Sequence, residues 1–542
     1  MVSSSLISVV VFFWLCHGCL QLISAQLCEV RGWRSFECTE LASLQDIYVD
    51  PAQSENWHSL SIRNVRTQLS IDSAQNLQHL SSLKSLDVSN VPRLRLERRG
   101  FSALGNLRQL NISSCGLQRL YSTHFSAESA LHQLDASYNE LTGLTKDVFF
   151  SLRNLIYANF SHNSLETFEL PQMPMLQHLD LSHNELINVT LEECPKLQFL
   201  VLNENLLSQL TANIFIGLPS LLELDLSKNA IVAIEPEIFE PLTQLRVLNL
   251  SINVLDAVRP NVFGNVALQQ LDLSTNHIRL LFDKQFMGLP RLQLLDLSRN
   301  NIASLNEAHF VGLSSLRKLY LESNDIIEIK TQTFADLSDL DTLDLSHNSI
   351  EYLDETIFGA NTLPRLRKLN LGSNRLKRLH ALAFSSLPFL EYLSLGNNEL
   401  SSLDVRMFSP MRKLKKLHLG HNSLEEISTD VLESLNNISE LLLDNNRLTF
   451  LPDVNTTFPA LKRVSIEGNP WQCPCFQEIE RWLATRHVTY LREGTGFYKG
   501  EKPLCMVTSV NYCVQNVELV RGHGIVDKIE EELGKYRDDD ED

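Results

Sequence analysis

The sequence predicts an α/β solenoid: a horseshoe of about 18 stacked repeats that share one curved parallel sheet, with a disulfide cap at each end. Three observations lead there. A nine-residue pattern of leucine and asparagine recurs along most of the chain. Its spacing is mostly 24 residues, the length of one supersecondary unit. Six of the ten cysteines lie in two groups that flank the periodic region. At 542 residues the chain is also too long for one ordinary core, which a repeat array resolves.

Residues 1–25 read as an export signal. Leu6 to Leu15 is nearly unbroken apolar sequence, and Ser24-Ala25 offers small residues for cleavage before Gln26. The run is short for a bilayer span, and His17-Gly18 follows it closely. No Lys or Arg precedes it, so an uncleaved anchor is the structural alternative. No later segment has the length and apolarity of a membrane helix, so the mature chain is expected to be extracellular, with no membrane span. Residues 26–56, which hold Cys28 and Cys38, can close an N-terminal cap.

Residues 57–469 hold the repeats. Leu221-x-x-Leu224-x-Leu226-x-x-Asn229 returns as Leu245 to Asn253, Leu292 to Asn300 and Leu414 to Asn422. The Leu-x-Leu core is a short strand with two side chains turned inward and the middle one turned out. Each repeat buries its apolar face only against its neighbours. The asparagine amide can satisfy backbone groups that the following turn would otherwise bury unpaired. A phenylalanine column, including Phe215, Phe239, Phe334 and Phe384, fills the convex side. The intervals from Asn163 to Asn184 and to Asn205 are shorter, and Leu170 and Leu191 stand where phenylalanine is expected. The convex side should be thinner there.

Residues 470–514 form the second cap, with Cys473, Cys475, Cys505 and Cys513, and open on Asn469-Pro-Trp471-Gln-Cys473-Pro-Cys475. On these residues and the repeats, the chain from Cys28 to Cys513 resembles extracellular leucine-rich-repeat proteins with cysteine-flanked caps. That group includes Toll-type ectodomains, Slit and the insect leucine-rich immune and adhesion proteins. The resemblance implies the pairs Cys473–Cys505 and Cys475–Cys513, and a role in innate immunity, cell adhesion or growth-factor binding. Residues 515–542 are an acidic tail. Asp527 to Asp542 alone has nine acidic and three basic residues, so it carries −6 of the chain's net −18. It cannot bury apolar surface, and it is not a lipid-anchor signal.

Cys115 occupies the asparagine column and Cys194 reads as a small apolar filler, with an inter-chain bridge through Cys194 left open. The net charge of −18 argues against nucleic acid. No catalytic motif is present: there is no Gly-x-Ser-x-Gly elbow, no His-Glu-x-x-His helix and no phosphate-cradling glycine loop. The aspartates at Asp87, Asp135, Asp180, Asp225, Asp272, Asp296 and Asp344 are read as structural rather than as a cation ladder. No enzyme activity, metal or cofactor is expected.

The expected function is a secreted protein-binding scaffold that recognises a protein ligand on its concave sheet; the alternative is a structural matrix component. A homo-oligomer is left open. Sequons stand at Asn111, Asn159, Asn188, Asn249, Asn437 and Asn455. Asn111, Asn159 and Asn249 fall at outward strand positions, so their glycans would cover the N-terminal half of the concave face. The C-terminal half lacks sequons at those positions and carries Lys318, Tyr320, Lys368, Tyr392, Lys416 and His418. These six are the expected binding residues, for a partner with an acidic face.

Overall fold

The computed structural model describes residues 28–32, 34–47, 57–65, 68–72, 80–211, 213–264, 267–358, 363–452, 458–491, 505–508 and 510–515. The segment 1–25 read as an export signal, the Asn455 sequon and the tail beyond residue 515 lie outside the described residues.

One sheet of 21 strands runs the length of the described chain. It starts with Cys28–Gly32 and Ser35–Thr39, paired antiparallel because a tight turn joins them. Every later neighbour is parallel, from Ser59–Arg63 to Arg463–Ser465, with Thr489–Tyr490 added at the end. Setting aside Cys28–Gly32, Ser35–Thr39 and Thr489–Tyr490 leaves 18 strands, one for each repeat. Register places like beside like: Leu224, Leu248, Leu271 and Leu295 are successive partners and all are buried. In the three-residue strands the central residue is buried, a leucine except at Ala158 and Val464, and the residues on both sides of it line the concave surface.

Asparagine locks each turn to its neighbour. Asn300 Oδ1 accepts the Ile278 amide of the preceding repeat at 3.0 Å. Its Nδ2 donates to Leu273 O of that repeat at 3.0 Å, and to Leu297 O at 3.1 Å. One amide therefore satisfies backbone groups of two repeats that have no water to turn to. Cys115 does part of this work: its Sγ–H donates to Val88 O at 3.1 Å. The residue before each asparagine adopts a left-handed backbone, with φ of 52–53° at His162, His183, Lys228, Ile252 and Arg299. The strand aspartates serve the same turn, as in Asp296, whose Oδ1 accepts from Ser298 N–H at 2.9 Å and Oγ–H at 2.6 Å.

The convex side is built around stacked phenylalanines. Phe310–Phe334 and Phe334–Phe358 have ring centroids 6.1 Å apart. At the two short repeats this spine gives way to backbone pairing. Thr167–Leu170 and Asn188–Leu191 form a parallel two-stranded sheet, with Leu170 and Leu191 buried behind it. Shorter parallel pairs also form in repeats that keep their phenylalanine, Ser304–Leu305 with Glu328–Ile329 and Tyr352–Leu353 with Arg378–Leu379; the pair at the short repeats is four residues long. Helices are few and short, such as Lys146–Phe150 and Thr429–Ser434.

Both ends are closed. Cys28 bonds to Cys38, Cys473 to Cys505 and Cys475 to Cys513. Trp57 stacks on Phe36 at 3.8 Å over the first repeat. At the other end the helix Cys473–Arg486 lays Phe476, Ile479 and Trp482 against the last repeat, where Trp482 meets Phe458. Trp471 is fully buried, and its Nε1–H donates to Ile466 O at 2.7 Å. Cys115 and Cys194 remain free and buried, and burial pushes each thiol up to about 11. The inter-chain bridge considered for Cys194 is therefore ruled out in the folded chain, because its sulfur faces the core.

Candidate functional site

The parallel register sorts the outward residues of the C-terminal half into rows. One row reads Lys318, Thr342, Lys368, Tyr392, Lys416, Glu440 and Arg463. The next holds Tyr320, Asp344, Asn370, Ser394 and His418. Four of the six expected binding residues thus share a row, and Tyr320 and His418 share the neighbouring one.

Three of them meet. The Tyr392 and His418 rings are edge to face at 5.0 Å, with Tyr392 Oη 3.3 Å from His418 Nδ1. With its proton on Nε2, His418 donates to Glu440 Oε1 at 3.0 Å. Glu440 is buried among cations: Lys416 stands 3.4 Å from its Oε2, and Arg463 pairs with the same oxygen. Burial alone would raise the Glu440 carboxyl. The His418 hydrogen bond and the Lys416 and Arg463 charges outweigh that and hold it below the ordinary range. Glu440 organises the cluster, and sequence reasoning passed over it because that search followed lysine, tyrosine and histidine.

Lys318 and Lys368 are exposed, on strands two apart with Thr342 between them. Tyr320 belongs to different surroundings. Burial and then Asp296, Asp344 and Glu322 raise its hydroxyl above the ordinary value, so its neighbourhood is acidic.

A second basic row was also missed. Arg317, Arg367, Lys415 and Lys462 stand one residue before their strands, all exposed. Across these two rows, from Arg317 to Arg463, eight cations face three carboxylates: Asp341, Glu391 and Glu440. The pairs are Arg367–Asp341 at 3.6 Å, Lys415–Glu391 at 2.7 Å and the Glu440 cluster. The start-of-strand edge thus keeps a local net charge of +5 in a chain of net −18. Beside it, Gly372, Gly396 and Gly420 occupy the column held by Ser298 and Ser346. There a groove of about 230 Å³ opens next to Tyr392, His418 and Asp444. A Cβ added at Gly420 would lie 2.6 Å from Asp444 Oδ1, so a side chain there would require the Asp444 carboxylate to move.

The N-terminal half differs. Asn111, Asn159 and Asn249 face the concave surface, and each Oδ1 accepts the amide of the sequon serine at 2.9–3.0 Å. Asn188 is exposed on the convex strand Asn188–Leu191. Exposed Asn437 donates to Arg412 O at 2.9 Å. Two aromatic stacks cross this half, Tyr157–His178–Phe199 on the sheet and Tyr138–His162–His183 at the turns. Their shared columns are visible in the sequence once the register is known.

The family model described as Leucine rich repeat matches residues 129–186, 223–278, 266–326, 364–424 and 412–470. The chain belongs to the leucine-rich-repeat family. Solved leucine-rich-repeat structures share the fold. A leucine-rich-repeat protein of Leptospira interrogans is 25% identical, with TM-score 0.57, over 82% of this chain and 99% of its own. The glycosylated Toll–Spatzle complex, a molecular hub in Drosophila development and innate immunity, is 18% identical with TM-score 0.55, over 89% and 70%. YopM from Yersinia enterocolitica is 24% identical with TM-score 0.53, over 81% and 79%. No curated protein matches the sequence. Among the described residues no helix is long and apolar enough to cross a membrane.

Proposed function

We propose that this leucine-rich-repeat chain is a secreted, non-enzymatic recognition protein that holds a protein ligand with an acidic face on its concave sheet, between Lys318 and Arg463. The observation that carries this reading is the basic edge. A repeat scaffold presents a wide, rigid surface, and eight cations against three carboxylates on one edge of it run opposite to the charge of the whole chain. Complementary charge of this kind steers encounter and selects partners. Tyr392 and the Glu440 cluster add a half-buried aromatic and fixed polar contacts at its centre, where binding energy concentrates. The three disulfides suit an oxidising compartment. Glycans on Asn111, Asn159 and Asn249 would crowd the other half of the sheet and leave this one open.

The test is affinity purification of the tagged protein from its native fluid with mass spectrometry, followed by binding of the captured partner to Lys368→Glu/Lys416→Glu. Affinity is expected to fall at least tenfold and to lose much of its salt dependence, with Asn159→Gln unchanged. Unchanged affinity in the double reversal, with loss on substituting Tyr157 or Phe199, moves the site to the N-terminal half.

A further inference from the structure

The basic edge lies within reach of an acidic partner in the same chain. Val514 is fastened to the C-terminal cap. Its N–H donates to Gln472 Oε1 at 3.2 Å, its carbonyl accepts Gln472 Nε2–H at 2.7 Å, and Cys513 beside it is bonded to Cys475. Eleven residues, 516–526, then separate the described chain from the acidic segment that begins at Asp527.

Reach is sufficient. Eleven residues extend to roughly 36–40 Å. Arg463 and Lys368 lie four strand spacings apart, about 19 Å along the sheet. About half the reach remains for rounding the cap. Charge is complementary too: nine acidic against three basic residues in 527–542, facing six cations and two carboxylates on the strands from Lys368 to Arg463, a net of +4. A short tether gives its end a millimolar effective concentration at sites within span, so pairs that are individually weak act together.

We propose that the segment 527–542 lies along the basic edge between Lys368 and Arg463, and that an external acidic partner must displace it. This rests on the proposed reading of that edge as an anionic-partner site. The tail then acts as a built-in competitor that rejects weakly acidic proteins and admits only a partner with better-placed charge.

The probe is a fluorescein-labelled synthetic peptide of residues 527–542, titrated by anisotropy at low salt. Three proteins are compared: the full chain, a chain truncated after Val526, and a full-length chain with Asp538, Asp539, Asp540, Glu541 and Asp542 changed to their amides. Thermal melting confirms that each is folded. The truncated chain is expected to bind the peptide at least tenfold tighter than the full chain, with the amide variant between them. Binding should vanish at 0.5 M NaCl and in the truncated Lys368→Glu/Lys416→Glu variant. Equal binding by full and truncated chains overturns the proposal, as does peptide binding that survives the double reversal. If the truncated chain ignores the peptide but a captured protein partner still needs Lys368 and Lys416, the tail is not the occupant and the site reading stands. If neither binds there, both fall.

Discussion

His309 and Gln285 lie one repeat apart and do the same work. His309 Nδ1 accepts the Asn306 amide at 3.2 Å, and Gln285 Oε1 accepts the Phe282 amide at 2.9 Å. Both are buried beside a convex phenylalanine. His124 repeats the arrangement with the Tyr121 amide at 3.3 Å. Each imidazole must stay unprotonated on Nδ1 to accept.

That requirement makes stability depend on pH. Burial holds His309 below the ordinary histidine value despite Asp283 and Glu307, and His124 below it despite Glu97. The unfolded chain therefore takes up these protons first as pH falls. Stability is complete above about pH 6.5 and declines below it, until the folded-state values are passed. His309→Gln keeps the acceptor and removes the proton site. Its melting temperature should match the parent at pH 7.5 and exceed it at pH 5.5. Parallel melting curves across that range would count against the assignment.

The asparagine ladder should be costly to break. Asn324 accepts the Ile302 amide at 3.1 Å and donates to Leu297 O at 2.9 Å across the repeat boundary. Asn324→Ala strands these buried groups, and a loss of about 3 kcal/mol is expected. Asn324→Cys should lose less, since Cys115 already holds that column. Denaturant unfolding checks both. A loss below about 1 kcal/mol for the alanine variant would place the stabilisation elsewhere.

Much of this was readable in the sequence, and the reason is geometric. Leu224, Asn300 and Phe334 each answer to a neighbour at a fixed offset, so burial imposes the same residue type again and again. Glu440 and Arg367 stand in columns that face solvent, where nothing enforces a type, so the pairing of Glu440 with Lys416 and Arg463, and of Arg367 with Asp341, appears only once strands are set side by side. The pairing of Thr167–Leu170 with Asn188–Leu191 is a matter of backbone, and backbone pairing of such short segments has little side-chain signature.

On the proposed secretory route, the C-terminal cap should decide whether the chain leaves the cell. Cys475→Ser removes the bridge to Cys513. It loosens the helix that covers the last repeat, with a cost of about 2–5 kcal/mol. Retention in the secretory pathway is expected, read by immunoblot of medium against lysate. Normal secretion would show that the bridge is dispensable for closing the solenoid.

One position invites improvement. Ile252 is β-branched in a left-handed backbone at φ 53°, a conformation that costs such residues about 1–2 kcal/mol. Its side chain is 43% exposed, so only part of a core contact is lost on replacing it. Ile252→Asn should raise the melting temperature measurably. A fall would mean that the exposed isoleucine packs better than it looks.

The convex strand pair has a consequence for how such a chain can change length. A long repeat shares at most two convex strand residues with a neighbour, and its phenylalanine can stack on whichever phenylalanine comes next. The strands Thr167–Leu170 and Asn188–Leu191 satisfy each other. Excising either repeat removes the four-residue pairing of its twin, which the two-residue pairs of the longer repeats do not match in length. Recombination that carries the two short repeats together, as a single inherited cassette, keeps that longer pairing whole.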